Sequence, residues 1–126
     1  MKLLLLATAG GAIGAGARHL VNVGFARLLG TAYPWGTFTV NIVGSLLMGV
    51  LIELLVLRYA GSGPMRVFLG TGFLGGFTTF SAFSLDLHVM IERGELGFAL
   101  AYAAGSVILG LLALYAGIMM VRGVLA

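Results

Sequence analysis

Residues 70–84 read Gly70-Thr71-Gly72-Phe73-Leu74-Gly75-Gly76-Phe77-Thr78-Thr79-Phe80-Ser81-Ala82-Phe83-Ser84, and how this stretch is read decides the fold. It lies inside an apolar segment from about Met65 to Met90, yet Gly75-Gly76-Phe77-Thr78-Thr79 puts two glycines and two β-branched residues in the interior, where helix propensity falls. Unwound backbone at membrane depth is tolerated only where it is buried in protein or lines a cavity, and interrupted helices near the midplane are a recurring device for binding ions. The midpoint of the segment falls beside Thr78. The expectation is therefore a membrane helix broken at the centre of the bilayer. A glycine kink that only shapes packing is the competing reading of the same residues.

The composition around this stretch sets its solvent. The 126 residues are 60% apolar and 9% charged, with a mean hydropathy of +1.13, whereas soluble domains carry roughly 25% charge. That excludes a water-soluble monomer, which could not coat itself with polar surface, and a disordered chain. A spanning helix needs about 20 apolar residues, so the chain has room for four and little else. The sequence predicts an all-α membrane protein, one domain over residues 1–126, with spans at about 3–29, 37–57, 65–90 and 97–121. Gly30 to Pro34 and Arg58 to Pro64 separate the first three spans, and Glu92-Arg93-Gly94-Glu95 precedes the last. Trp35 beside Tyr33 reads as an interfacial anchor.

Seven basic residues against four acidic ones give a net charge of +3. They stand singly at segment ends, which fits interfacial anchors and topology signals and gives no reason to expect nucleic acid as a partner. No cysteine is present, which removes disulfides, thiolate catalysis and thiolate metal sites. The apolar run after Lys2 is too short for the core of a signal peptide, so no cleavage is expected. Small residues four apart, Gly10/Gly14, Ser45/Gly49, Gly72/Gly76 and Ser106/Gly110, allow close helix approach. Tight packing accounts for most of them, but four short helices enclose little alone, and a homo-oligomer is expected. Lys2, Arg58, Arg66 and Arg122 fall on the side of the N-terminus, Arg27 and Arg93 on the other. The bias leans to a cytoplasmic N-terminus but is small enough for insertion both ways, and the two orientations could pair as an antiparallel, dual-topology dimer. Two helix breaks would then meet on the two-fold axis and offer carbonyl oxygens, the ligands hard cations prefer, to one cation.

The polar residues of the spans supply the candidate site. Phe80 and Phe83 are three apart, as are Ser81 and Ser84, so a resumed helix carries an aromatic ridge beside a hydroxyl ridge. Two Phe at helical spacing are usually core. Here the positive ring edges stand beside hydroxyl and amide donors, a combination suited to weak binding of a small, strongly hydrated anion. Asn41, inside the second span, must find partners or cost several kcal/mol, either as glue between helices or as a donor to an ion. Arg18 lies roughly 22 Å along the first span from Leu3 at 1.5 Å per residue. That places it toward the far interface, to snorkel or to draw anions into a vestibule. Tyr102 and Ser106 share a helix face and could extend a polar track; His19 and His88, near span ends, read as interfacial. Glu53 and Asp86 lie late in their spans and no carboxylate is central, which speaks against a proton-coupled exporter of cationic drugs. With no nucleophile–base pair and no metal-ligand His cluster, the chain does not read as an enzyme.

Three motifs, Gly10-Gly11-Ala12-Ile13-Gly14-Ala15 with Arg18, Pro34-Trp35-Gly36-Thr37-Phe38-Thr39-Val40-Asn41, and residues 70–84, together resemble the Fluc (CrcB) family of fluoride channels over all four spans. The resemblance implies a passive fluoride channel of the bacterial inner membrane, an antiparallel homodimer with two pores embedded in membrane lipid, exporting fluoride from the cytoplasm. It implies that Gly75 and Thr78 lend backbone carbonyls to a structural Na⁺ on the dimer axis. Phe80 and Phe83 would form an aromatic box and Asn41 would contribute its amide. Ser81, Tyr102 and Ser106 would line the track, and Arg18 would match a vestibule arginine. Ala82 stands where the family often has Thr, and Asp86 where Glu is common; the first puts one polar rung in doubt, and the second keeps the charge on a shorter arm. Pairs of inverted heterodimeric partners also occur in the family. A small multidrug-type proton-coupled exporter and a structural membrane subunit without transport remain the alternatives.

Overall fold

The computed structural model describes residues 1–125 as helices joined by short turns. Helix α1 (Lys2–Leu29) ends where Gly30 takes a positive φ of 77°, a conformation open to glycine without strain. Pro34 precedes α2 (Trp35–Leu57), which closes before a turn carrying Ala60 and Gly61 at positive φ. The Ser62 hydroxyl then caps α3 (63–77), accepting from Met65 N–H at 3.4 Å, and Pro64 fits its first turn. Helix α4 (Phe80–Glu92) turns at Gly94 into α5 (Leu96–Leu125). Four stretches, α1, α2, Gly63–Glu92 and α5, are long and apolar enough to cross a membrane.

Within α3 the residues Arg66–Leu74 wind as a π-helix, and the Gly75 N–H reaches Gly70 O. The sequence reading did not anticipate this wider winding. Its physical setting is the contact with α1, where the two backbones meet with no side chain between them. A Cβ on Gly10 would collide with the Phe68 carbonyl oxygen, one on Gly14 with that of Phe73, and one on Gly76 with that of Gly11. Helices α2 and α5 meet in the same way, Gly49 against the Leu114 carbonyl and Gly117 against that of Leu46. Most of the expected small-residue pairs are thus used inside one chain.

The buried core is small. One cluster joins Phe83, Met90, Ala99 and Tyr102, and another joins Leu51, Leu55 and Leu74. Large apolar side chains along α1 and α5, among them Leu5, Ile13, Val107, Leu111 and Met119, face outward. Lipid makes that surface stable, since an apolar side chain there leaves no water to be ordered.

Candidate functional site

The site begins where the chain leaves the helix. Thr78 (φ −88°, ψ 159°) and Thr79 (φ −152°, ψ 125°) take extended dihedrals between α3 and α4. The last turn of α3 is still closed, because Thr78 N–H bonds Leu74 O at 3.0 Å and the Thr78 hydroxyl donates to the same carbonyl at 2.9 Å. Both backbone groups of Thr79 go to one side chain on α2: its N–H donates to Asn41 Oδ1 at 2.8 Å, and its carbonyl accepts from Asn41 Nδ2 at 3.1 Å. The carboxamide thereby pairs with the extended residue as a neighbouring strand would, satisfying groups that lipid could not. The Thr79 hydroxyl caps α4 by accepting from Ala82 N–H at 3.2 Å. From α1, Arg18 Nε donates to Gly76 O at 3.1 Å.

These bonds release carbonyls. In an unbroken helix Thr79 N–H would close onto Gly75 O and Ala82 N–H onto Thr78 O; here the first goes to Asn41 and the second to the Thr79 hydroxyl. Gly75 and Thr78 therefore keep carbonyl oxygens without those helical partners, a donor type that fits a hard monovalent cation. Among the described residues no three His, Asp or Glu side chains group to hold a metal.

Beside the extended residues an open groove of about 340 Å³ runs between α2 and α5, lined by Asn41, Ser45, Thr78, Thr79, Phe80, Phe83 and Ser106 among others. Phe80 is 78% exposed and Phe83 is buried, with ring centroids 5.8 Å apart at 48°. Ser106 Oγ is buried and makes no hydrogen bond with the described residues. The groove thus collects an amide, hydroxyls and two rings on one apolar wall. Asn41 has spent one of its two Nδ2 hydrogens on Thr79, so one remains to donate.

Other predicted residues lie apart. Tyr102 packs against Phe83 with the rings tilted (5.0 Å, 59°), but its hydroxyl donates to Asp86 at 2.9 Å, and it lines a separate, mostly apolar cavity with Trp35, Phe38 and Phe98. It touches the groove only through Phe83. Ser81 is exposed, 3.5 Å from the Thr79 hydroxyl, and outside the groove lining. Arg18, expected toward the far interface of its span, sits within a turn of the centre of α1, and its side chain donates to the Gly76 carbonyl.

Sequence reasoning also missed contacts that join distant segments. Glu53 pairs with Arg122 Nε at 2.9 Å, tying α2 to α5, and Arg93 Nη1 holds the Ala32 carbonyl at 2.6 Å. No local pattern links residues 69 or 61 positions apart. Thr79 as a helix cap was legible, since Thr three residues before a helical N–H is a favoured start.

The profile of the CrcB-like protein, Camphor Resistance (CrcB) family matches residues 5–118. The chain belongs to the CrcB family. A relative from Caulobacter vibrioides (strain NA1000 / CB15N), called fluoride-specific ion channel FluC, is 51% identical, with both chains covered in full. Relatives of the same name from Chelativorans sp. (strain BNC1) and Rhodospirillum centenum (strain ATCC 51521 / SW) are 52% and 49% identical. The alignments cover 97% of this chain and 98% of the first relative, and the whole of both chains for the second. The relatives of this CrcB chain are named ion channels, a non-enzymatic class, and with its four spanning helices the chain is a multi-pass membrane protein.

Proposed function

We propose that this chain is a fluoride-selective passive channel that exports fluoride from the cytoplasm across the bacterial inner membrane. The observation that carries the reading is the groove. It is lined by Phe80 and Phe83 together with Asn41, which keeps one N–H to donate, and Ser106, whose hydroxyl has no partner among the described residues, in a chain whose relatives carry fluoride in their names. Ring edges and neutral donors together replace part of the hydration shell of a small anion without a full charge that would hold it. Ser81 and Tyr102 extend the path at its ends, Ser81 beside Thr79 and Tyr102 behind Phe83.

A groove open on one side becomes a pore when a second surface covers it. We assign that surface to an antiparallel copy of the chain, giving two pores per homodimer, with the extended residues 78–79 at the bilayer midplane. The 78% exposure of Phe80, large for an aromatic ring that lines a groove, supports this covering. On the two-fold axis the released carbonyls of Gly75 and Thr78 fit a structural Na⁺, which when bound supplies a fixed positive charge there. A proton-coupled exporter is not favoured, because buried Glu53 is held in an ion pair with Arg122.

The test is anion efflux from liposomes holding the purified protein, with a fluoride electrode, chloride followed in parallel and an ionophore moving potassium. Fast fluoride efflux without chloride is expected; no fluoride efflux from a verified dimer refutes the assignment.

A further inference from the structure

We infer that Arg18 serves the channel as a positioning residue, clamping the interruption between α3 and α4 through its Nε–H, and not as a free charge that gathers anions. This rests on the channel reading above. The backbone at residues 76–79 is held from two sides. Asn41 on α2 takes the N–H and carbonyl of Thr79, and Arg18 on α1 takes the carbonyl of Gly76, which in an unbroken helix would accept from Phe80 N–H. A carbonyl deprived of its partner in an apolar setting costs about as much as a lost hydrogen bond, and a charged donor satisfies it most strongly.

Placement supports the clamp. Arg18 is partly buried near the middle of α1, a depth at which an ionised side chain is expensive and pairs with backbone carbonyls or a wet cavity. The α1 surface one turn earlier is locked onto α3 by Gly14 against the Phe73 carbonyl. With the two backbones in contact, the Arg18 side chain starts from a fixed origin. The rest of the guanidinium makes no hydrogen bond with the described residues, so attraction of anions by its charge is the rival role, and side-chain geometry separates the two.

Glutamine carries its Nε2 the same number of bonds from the backbone as the Nε of arginine, so R18Q keeps an N–H at the clamp and removes the charge. Lysine has a methylene at that place and its ammonium one bond further out, so R18K keeps the charge and displaces the donor. Each variant is reconstituted in liposomes beside wild type and also examined by amide hydrogen exchange in detergent. R18Q is expected to hold fluoride efflux within a few-fold of wild type, with wild-type exchange at the Thr78 and Thr79 amides. R18K is expected to lose efflux by about ten-fold or more, the worth of one charge-assisted hydrogen bond, and to exchange those amides faster. Loss of efflux in R18Q, or efflux equal to wild type in both variants, overturns the clamp. Should wild type itself carry no fluoride, the channel reading fails while the clamp is still judged on exchange alone: faster exchange in R18K than in R18Q upholds it, and equal exchange overturns it.

Discussion

The two halves of the third span share a chain direction and little else. Residues 63–77 are wound partly as a π-helix and pressed against α1 so closely that glycine backbones touch carbonyls. Residues 80–92 form an ordinary α-helix that leaves Phe80 and Ser81 exposed and joins the core through Phe83 and Met90. The first half is built to be held, and the second is built to present side chains. Between them Thr78 and Thr79 leave helical dihedrals while the chain keeps its course, and Asn41 and Arg18 bond the backbone of this interruption. A change in the held half should therefore strike the fold, and one in the presenting half should strike transport.

The largest effect is expected for Gly14→Leu, whose side chain would run into the backbone of Phe73 and Phe77. A loss above about 3 kcal/mol, the scale of severe overpacking, should leave no monodisperse protein in detergent; a normal elution profile with wild-type thermal stability would mean the two backbones are not held apart by contact alone. Next comes Asn41→Ala, which strands both backbone groups of Thr79 at about 1–3 kcal/mol each. A lowered Tm together with lost fluoride efflux should follow, and efflux that survives would show that the interruption needs no side-chain partner.

Phe80→Ile and Phe83→Ile probe the presenting half. Fluoride efflux should fall below detection while the protein still elutes as wild type, because an aliphatic chain fills the space but offers no positive ring edge. Unchanged efflux would remove the rings from the path. Smallest is Ser106→Ala: its hydroxyl has no partner to lose among the described residues, so Tm should stay within a degree or so while efflux drops by about ten-fold, the worth of one donor to a passing anion. A fall in Tm without a fall in efflux would instead make Ser106 a packing residue.

The extent to which this was legible in the sequence differs between elements. The four spans stood out because lipid demands long apolar runs, and their observed limits differ from the expected ones by a few residues. Gly10/Gly14 and Gly72/Gly76 announced close approach, but spacing does not say which helix a small face meets, and here the two pairs meet each other. Asn41 could be picked out as a polar residue inside its span, and Phe80 and Phe83 by the hydroxyls beside them. That the Asn41 amide would be divided between Thr79 and the groove could not, since residues 38 apart come together only in the fold. The partner of Arg18 was hidden for a related reason: distance along a helix is readable, whereas the side it turns to depends on a neighbour.

Sequence alone determined the solvent, the number of spans and the weak point at Gly75–Thr79, because hydropathy and helix propensity are summed over neighbours along the chain. Tertiary structure decided what the weak point became. Which amides and carbonyls are satisfied at residues 76–79 depends on α1 and α2 arriving beside them with Arg18 and Asn41, and that arrival is fixed by close contact at glycines next to the site, Gly14 and Gly76 between α1 and α3 and Gly44 against Thr78. Hydrogen bonds are directional and act over about 3 Å, so their partners are set by where helices pack and not by the order of residues along any one of them.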